Sequence, residues 1–184
     1  MQPEIRRSVK RSGAYVIRFT ELNEETETFE FLLEDTFFAM FESNTWENGK
    51  VKASVLAGKR PDGINLDIRL EGRLIVACDR CLENFSLAVE SSQQLFVKFG
   101  QEEKELDDNV LMISRDDNLL DLSAVFYDYL VLAIPVQKFH PENEKGELTC
   151  DQEMIKMLDK HILSEEKTET DPRWDDVKKL LDKN

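Results

Sequence analysis

The sequence predicts an α+β fold: an antiparallel β-sheet followed by packed helices. Three observations carry the expectation. Apolar residues alternate with a period of two through roughly the first hundred positions, as half-buried strands require. From Leu122 the apolar period lengthens to three and four, the spacing of one helix face. Between the third and fourth alternating runs stands Pro61-Asp62-Gly63, a turn signal that joins neighbouring strands as an antiparallel hairpin. The pattern is compatible with an open sheet and with a barrel-like one.

The chain is expected to divide into a basic N-terminal arm (1–13), a single α+β domain (14–162), and a polar linker with a docking helix (163–184). In the arm, Arg6, Arg7, Lys10 and Arg11 face a single acid, Glu4. Such an arm is either a solvated terminus or a grip on a phosphate backbone, which makes these four residues candidate RNA contacts. The sign then reverses. From Glu21 to Glu47 there are nine carboxylates and no Lys or Arg, a solvated face or a dock for a basic partner.

The strands follow in order. Tyr15, Ile17 and Phe19 alternate, as do Phe29, Phe31 and Leu33; Val51, Ala53, Val55 and Ala57 form a third run, and Ile64, Leu66, Ile68 and Leu70 a fourth. The fourth continues past Gly72, read as a bend or bulge, through Leu74 and Val76 to Cys78, which parity turns inward. After "CDRC" the alternation restarts at Phe85, Leu87 and Val89, and again at Leu95, Val97 and Phe99, so the two cysteines sit at a hairpin tip. "QEEKELDD" (101–108) reads as a charged surface loop, and Val110 to Ile113 as a short apolar stretch.

A packed helix is expected at about 121–134. Leu122, Val125, Phe126, Tyr129, Leu130 and Ala133 make its apolar face, Asp121 or Ser123 its N-cap, and Pro135 its stop. Met154, Ile155 and Leu158 suit a further helix capped by Asp151. A last one has Thr170 or Asp171 as cap, Pro172 in its first turn, and Trp174, Val177, Leu180 and Leu181 on its apolar side.

Composition narrows the function. A chain of 184 residues with 41% hydrophobic content buries a real core without a staple. A net charge of −14 argues against broad adhesion to nucleic acid or to anionic membranes. No apolar run is long enough for a membrane span or a signal peptide, so the protein is expected in the cytoplasm, with no membrane partner. Seven scattered glycines form no phosphate-binding loop, and no nucleophile stands beside a base. Neither nucleotide binding nor an enzyme is expected.

The three cysteines, Cys78, Cys81 and Cys150, are an odd set that suits reduced thiols or metal ligands. A redox pair needs its first cysteine at a helix N-terminus, and here a strand precedes and another follows, which disfavours that chemistry although Arg80 would favour a thiolate. Two thiolates at i and i+3 can bite one zinc ion, with His140 and Cys150 to complete a structural site, though the gap between those two is long for a second knuckle. Free thiols at a packed turn are the alternative, with Arg80 reaching a carboxylate or an RNA phosphate.

Four landmarks in order, "CDRCLENF", "LLDLSAVFYDYLVLAIP", a polar stretch with His140 and Cys150, and "DPRWDDVKKLL", resemble the YceD family of bacterial and plastid proteins, over about residues 14 to 182. The matching positions are Cys78, Arg80, Cys81 and Leu82 at the turn, Asp121, Leu122 and Pro135 around the helix, and Asp171, Pro172, Arg173 and Trp174 in the tail. The resemblance implies a non-enzymatic role in accumulation of large-subunit ribosomal RNA through its synthesis, processing or assembly. It also implies a partner that is ribosomal RNA or a basic large-subunit ribosomal protein. Many members carry further cysteines after the position of Pro135, where this chain has His140 and Cys150. The other reading is a small zinc-binding or thiol-redox module unrelated to ribosomes.

Overall fold

The computed structural model describes residues 13–18, 22, 26–41, 45–100, 104–107, 109–114, 119–143, 146 and 149–162. The arm with Arg6, Arg7, Lys10 and Arg11 and the tail with Asp171, Pro172, Arg173 and Trp174 lie outside them. After a 3-10 turn at Gly13–Tyr15 come β1 (Val16–Arg18), β2 (Glu27–Leu33), α1 (Asp35–Phe38), β3 (Asn48–Arg60), β4 (Gly63–Ala77) and β5 (Asn84–Gly100). They are followed by β6 (Lys104–Asp107), β7 (Val110–Ser114), β8 (Leu119–Asp121), α2 (Ser123–Ala133) and α3 (Gln152–Ile162). The described residues fall into two compact units, one of those within 13–79 and 84–138, the other of those within 80–83 and 139–162.

The first unit is built on a six-stranded sheet in the order β2-β3-β4-β5-β7-β6, which is not closed into a barrel. Its pairing is antiparallel except between β5 and β7, which run parallel. The β3–β4 hairpin turns on Pro61 and Asp62, with Arg60 opposite Gly63, as the turn signal predicts. One sheet face carries Val51, Ala53, Val55, Ala57, Ile64, Leu66, Ile68 and Leu70, all buried. Each of the larger of these contributes about 1.5–3 kcal/mol by leaving water.

Helix α2 supplies Phe126 and Leu130 to the same core. Phe126 also meets Tyr15 edge-on at 6.4 Å and Phe31 at 5.5 Å, so the chain's early aromatics are held by its later helix. A separate two-stranded pairing of β1 with β8 fixes that arrangement, and the Leu122 N–H donates to the Tyr15 carbonyl at 2.9 Å.

Several expectations change. Gly72 makes no bend or bulge: it pairs in unbroken register with Val51 on one side and Val89 on the other. A Cβ there would lie 2.3 Å from the Lys50 carbonyl oxygen, so glycine serves close backbone approach. Residues 104–107, expected in a loop, form edge strand β6, with a register irregularity between Glu105 and Asp107. A dense run of charge conceals a strand whose pairing is entirely backbone. The two runs after Phe85 are one strand of 17 residues. Ser91 stands buried on its core face, and this polar residue interrupts the apolar alternation.

The α2 cap also differs in detail. Leu122 occupies the cap position and Ser123 is the first helical residue; the Asp121 carboxylate accepts from the Ser123 N–H at 2.9 Å and from its hydroxyl. The second unit contains α3, which starts as expected: Asp151 accepts from the Glu153 N–H at 2.9 Å. No helix among the described residues is long and apolar enough to cross a membrane.

Candidate metal centre

The turn from β4 to β5 is shaped by its own residues. Parity along β4 brings Cys78 to the core side, where it is fully buried. Asp79 then leaves the sheet and is tied on both its backbone and its side chain. Its N–H donates to the Lys138 carbonyl at 2.8 Å, and its Oδ2 accepts from the Lys138 N–H at 2.7 Å. That backbone hydrogen bond holds the Asp79 carboxyl below its usual value, and the Lys138 ammonium at 3.3 Å adds to the effect against partial desolvation. Lys138 follows the helix stop at Pro135, so the turn is tied to the segment that leaves α2.

In the second unit, the Arg80 guanidinium lies over the Phe139 ring, 4.2 Å from its centroid. Cys81 is buried, and its Sγ is 3.4 Å from His140 Nδ1. Leu82 closes the turn at φ 62°, a left-handed conformation costly for a leucine, with 71% of its surface exposed. Cys150 is also buried, one residue before the cap of α3. Among the described residues all three cysteines are free thiols.

The ligand atoms of Cys78, Cys81, His140 and Cys150 all lie within 4.8 Å of one another. Cys78 takes its place from the tight turn that sets it three residues before Cys81. A tetrahedral zinc ion with Zn–S near 2.3 Å and Zn–N near 2.0 Å separates its ligands by about 3.5–3.8 Å, so the 3.4 Å contact already has the right scale. The donor set is three soft sulfurs and one imidazole, the Cys3His composition of closed structural sites. The arrangement can therefore hold a metal ion.

The four residues joined by spacing arithmetic are thus brought together. The ties around them are not legible in the sequence: Asp79 to Lys138 and Arg80 to Phe139 each span 59 residues, and no local pattern marks them. Asp121 and Leu122 stand at the β8–α2 junction in structural roles.

Residues 66–181 match the family described as "Large ribosomal RNA subunit accumulation protein YceD". The chain is 29% identical over 122 residues to "Uncharacterized protein YlbN" of Bacillus subtilis (strain 168), covering 64% of this chain and 66% of that protein. It thus spans slightly under two thirds of that relative's length. No solved structure matches.

Proposed function

Since the chain belongs to the YceD family, we propose that it is a non-enzymatic factor supporting accumulation of large-subunit ribosomal RNA, through its synthesis, processing or assembly. The family match carries this reading, because it spans the thiol turn, α2 and the segment with His140 and Cys150. The protein acts in the cytoplasm on ribosomal RNA or on a basic large-subunit ribosomal protein. An excess of 38 acidic over 24 basic residues suits a partner whose positive charge must be shielded until RNA replaces it.

The Cys3His cluster holds a structural zinc. Four protein ligands leave no coordination position for water or substrate, so the ion would fix the turn and the His140–Cys150 segment without performing chemistry. Depletion of the protein is expected to lower the ratio of large- to small-subunit ribosomal RNA. An unchanged ratio, together with one zinc per chain, would favour the module unrelated to ribosomes. Metal analysis of protein purified without added zinc is expected to give about one ion per chain; three freely titrating native thiols would exclude the ion.

A further inference from the structure

At the far end of β4 from the thiols, the outer face of the sheet carries a second feature. A cleft of about 270 Å³ is lined by Arg60, Asp62, Gly63, Phe96, Lys98 and Val110, among others. Register places these groups together: Gly63 faces Lys98 across β4 and β5, and Phe96 faces Val110 across β5 and β7. Phe96 is half-buried, whereas Arg60 and Lys98 are exposed. The Arg60 guanidinium is 5.9 Å from the Phe96 centroid, at the outer limit of a cation–π contact, so it flanks the ring without sealing it.

The charge pattern distinguishes this end of the sheet. Elsewhere on the same face three cations are neutralised locally, Lys50 by Glu34 at 2.9 Å, Lys52 by Glu30 at 2.6 Å, and Arg69 by Glu71 and Glu90, while Arg73 donates to the Ser86 hydroxyl at 3.5 Å. Arg60 and Lys98 have no carboxylate partner among the described residues, and the cleft sets two cations against one acid, Asp62. In a chain of net charge −14, the cleft thus sets two cations without a carboxylate partner among the described residues beside a half-buried aromatic ring. Screening within about 8–10 Å lets such a local patch act despite the distant acids. Gly63 keeps the cleft in shape, since a Cβ there would lie 2.1 Å from the Val97 carbonyl oxygen.

We propose that the Arg60–Phe96–Lys98 cleft binds single-stranded RNA, with a base stacked on Phe96 and the adjoining phosphates held by Arg60 and Lys98. An aromatic platform flanked by cations is the arrangement that grips an unpaired strand without reading its sequence. An acidic peptide would use the cations and leave the ring idle. The assignment rests on the reading that the protein supports ribosomal RNA accumulation, and names the RNA-facing surface for it.

The test uses the full chain and a fluorescent oligouridylate of about twelve nucleotides, followed by anisotropy across a KCl series. Arg60→Gln with Lys98→Gln is expected to weaken binding at low salt by about tenfold or more and to flatten the salt slope by about 1.4, the value for two single-strand phosphate contacts. Phe96→Leu is expected to weaken binding by about tenfold while keeping the slope. Arg69→Gln, which removes a paired cation from the same face, is expected to bind as the unaltered protein does. Unfolding midpoints of all variants establish that they are folded. Absence of binding, unchanged binding in the cleft variants, an equal loss in Arg69→Gln, or preferential capture of a glutamate-rich peptide would each overturn the assignment. Complementation of depleted cells separates the two levels. Full rescue by the cleft variants removes the cleft and leaves the functional reading standing; an unchanged ribosomal RNA ratio on depletion removes that reading, while the anisotropy series still decides the cleft.

Discussion

At the scale of single residues, the thiol turn concentrates the sharpest expectations. Cys81 contributes a buried thiol 3.4 Å from His140, and serine in its place supplies a poor zinc ligand of similar size. Cys81→Ser is expected to lose most bound zinc on dialysis. Because metal binding is coupled to folding, a chelator should lower the unfolding midpoint of the unaltered protein and leave that of the variant unmoved. Leu82 presents a different case. Its left-handed backbone costs about 1–2 kcal/mol for an L-residue with a side chain, against about 0.5–1 kcal/mol for the extra entropy a glycine loses. Leu82→Gly is therefore expected to raise stability by about 0.5–1 kcal/mol in urea unfolding with zinc content unchanged. An unchanged or lower stability of Leu82→Gly would show that the turn carries no such strain at this position.

At the scale of elements, the two central hairpins tolerate little change in their backbone spacing. A methyl group at position 72 would meet the Lys50 carbonyl oxygen and the Val51 Cα, neither of which is the end of a flexible side chain. Gly72→Ala is expected to destabilise the protein by about 2–3 kcal/mol, with denaturant unfolding as the measure. Phe126→Ala, which empties the contact between α2 and the aromatics of β2 and the first turn, is expected to cost about 3–5 kcal/mol. These elements also show what a sequence reveals. Strands β3, β4 and β5 are legible because one face is buried and the other wet, so parity is written along them. Strand β6 is not, since an edge strand is defined by backbone pairing and its charges say only that it meets water. Helix α1 has four residues, too few for a period to register. The candidate metal ligands are legible as residue types that chemistry favours, but the neighbours that tie down the turn, Lys138 and Phe139, arrive by long-range folding and leave no local trace. Arg60, Phe96 and Lys98 are illegible as a group for the same reason: their meeting depends on strand register, and each alone is an ordinary strand residue.

For the molecule as a whole, charge governs association. If the acidic surface docks a basic ribosomal protein, raising KCl from about 50 mM to about 500 mM shrinks the Debye length several-fold and should release the partner, chiefly by slowing its association. Co-purification at the two salt concentrations checks this, and retention at high salt would point to an apolar contact. Strand β4 bears on the geometry of any such assembly. Its 15 residues begin at the RNA-facing cleft and end just before Cys78. At about 3.3 Å per residue it separates those two ends by roughly 45 Å. It is braced by β5 along its full length and by β3 as far as Ile75, and so behaves as a measuring rod. Effects at its two ends should add independently at that separation. A single copy would then hold an unpaired strand at one mark of that rod, at a fixed distance from the other end of β4 at Ala77.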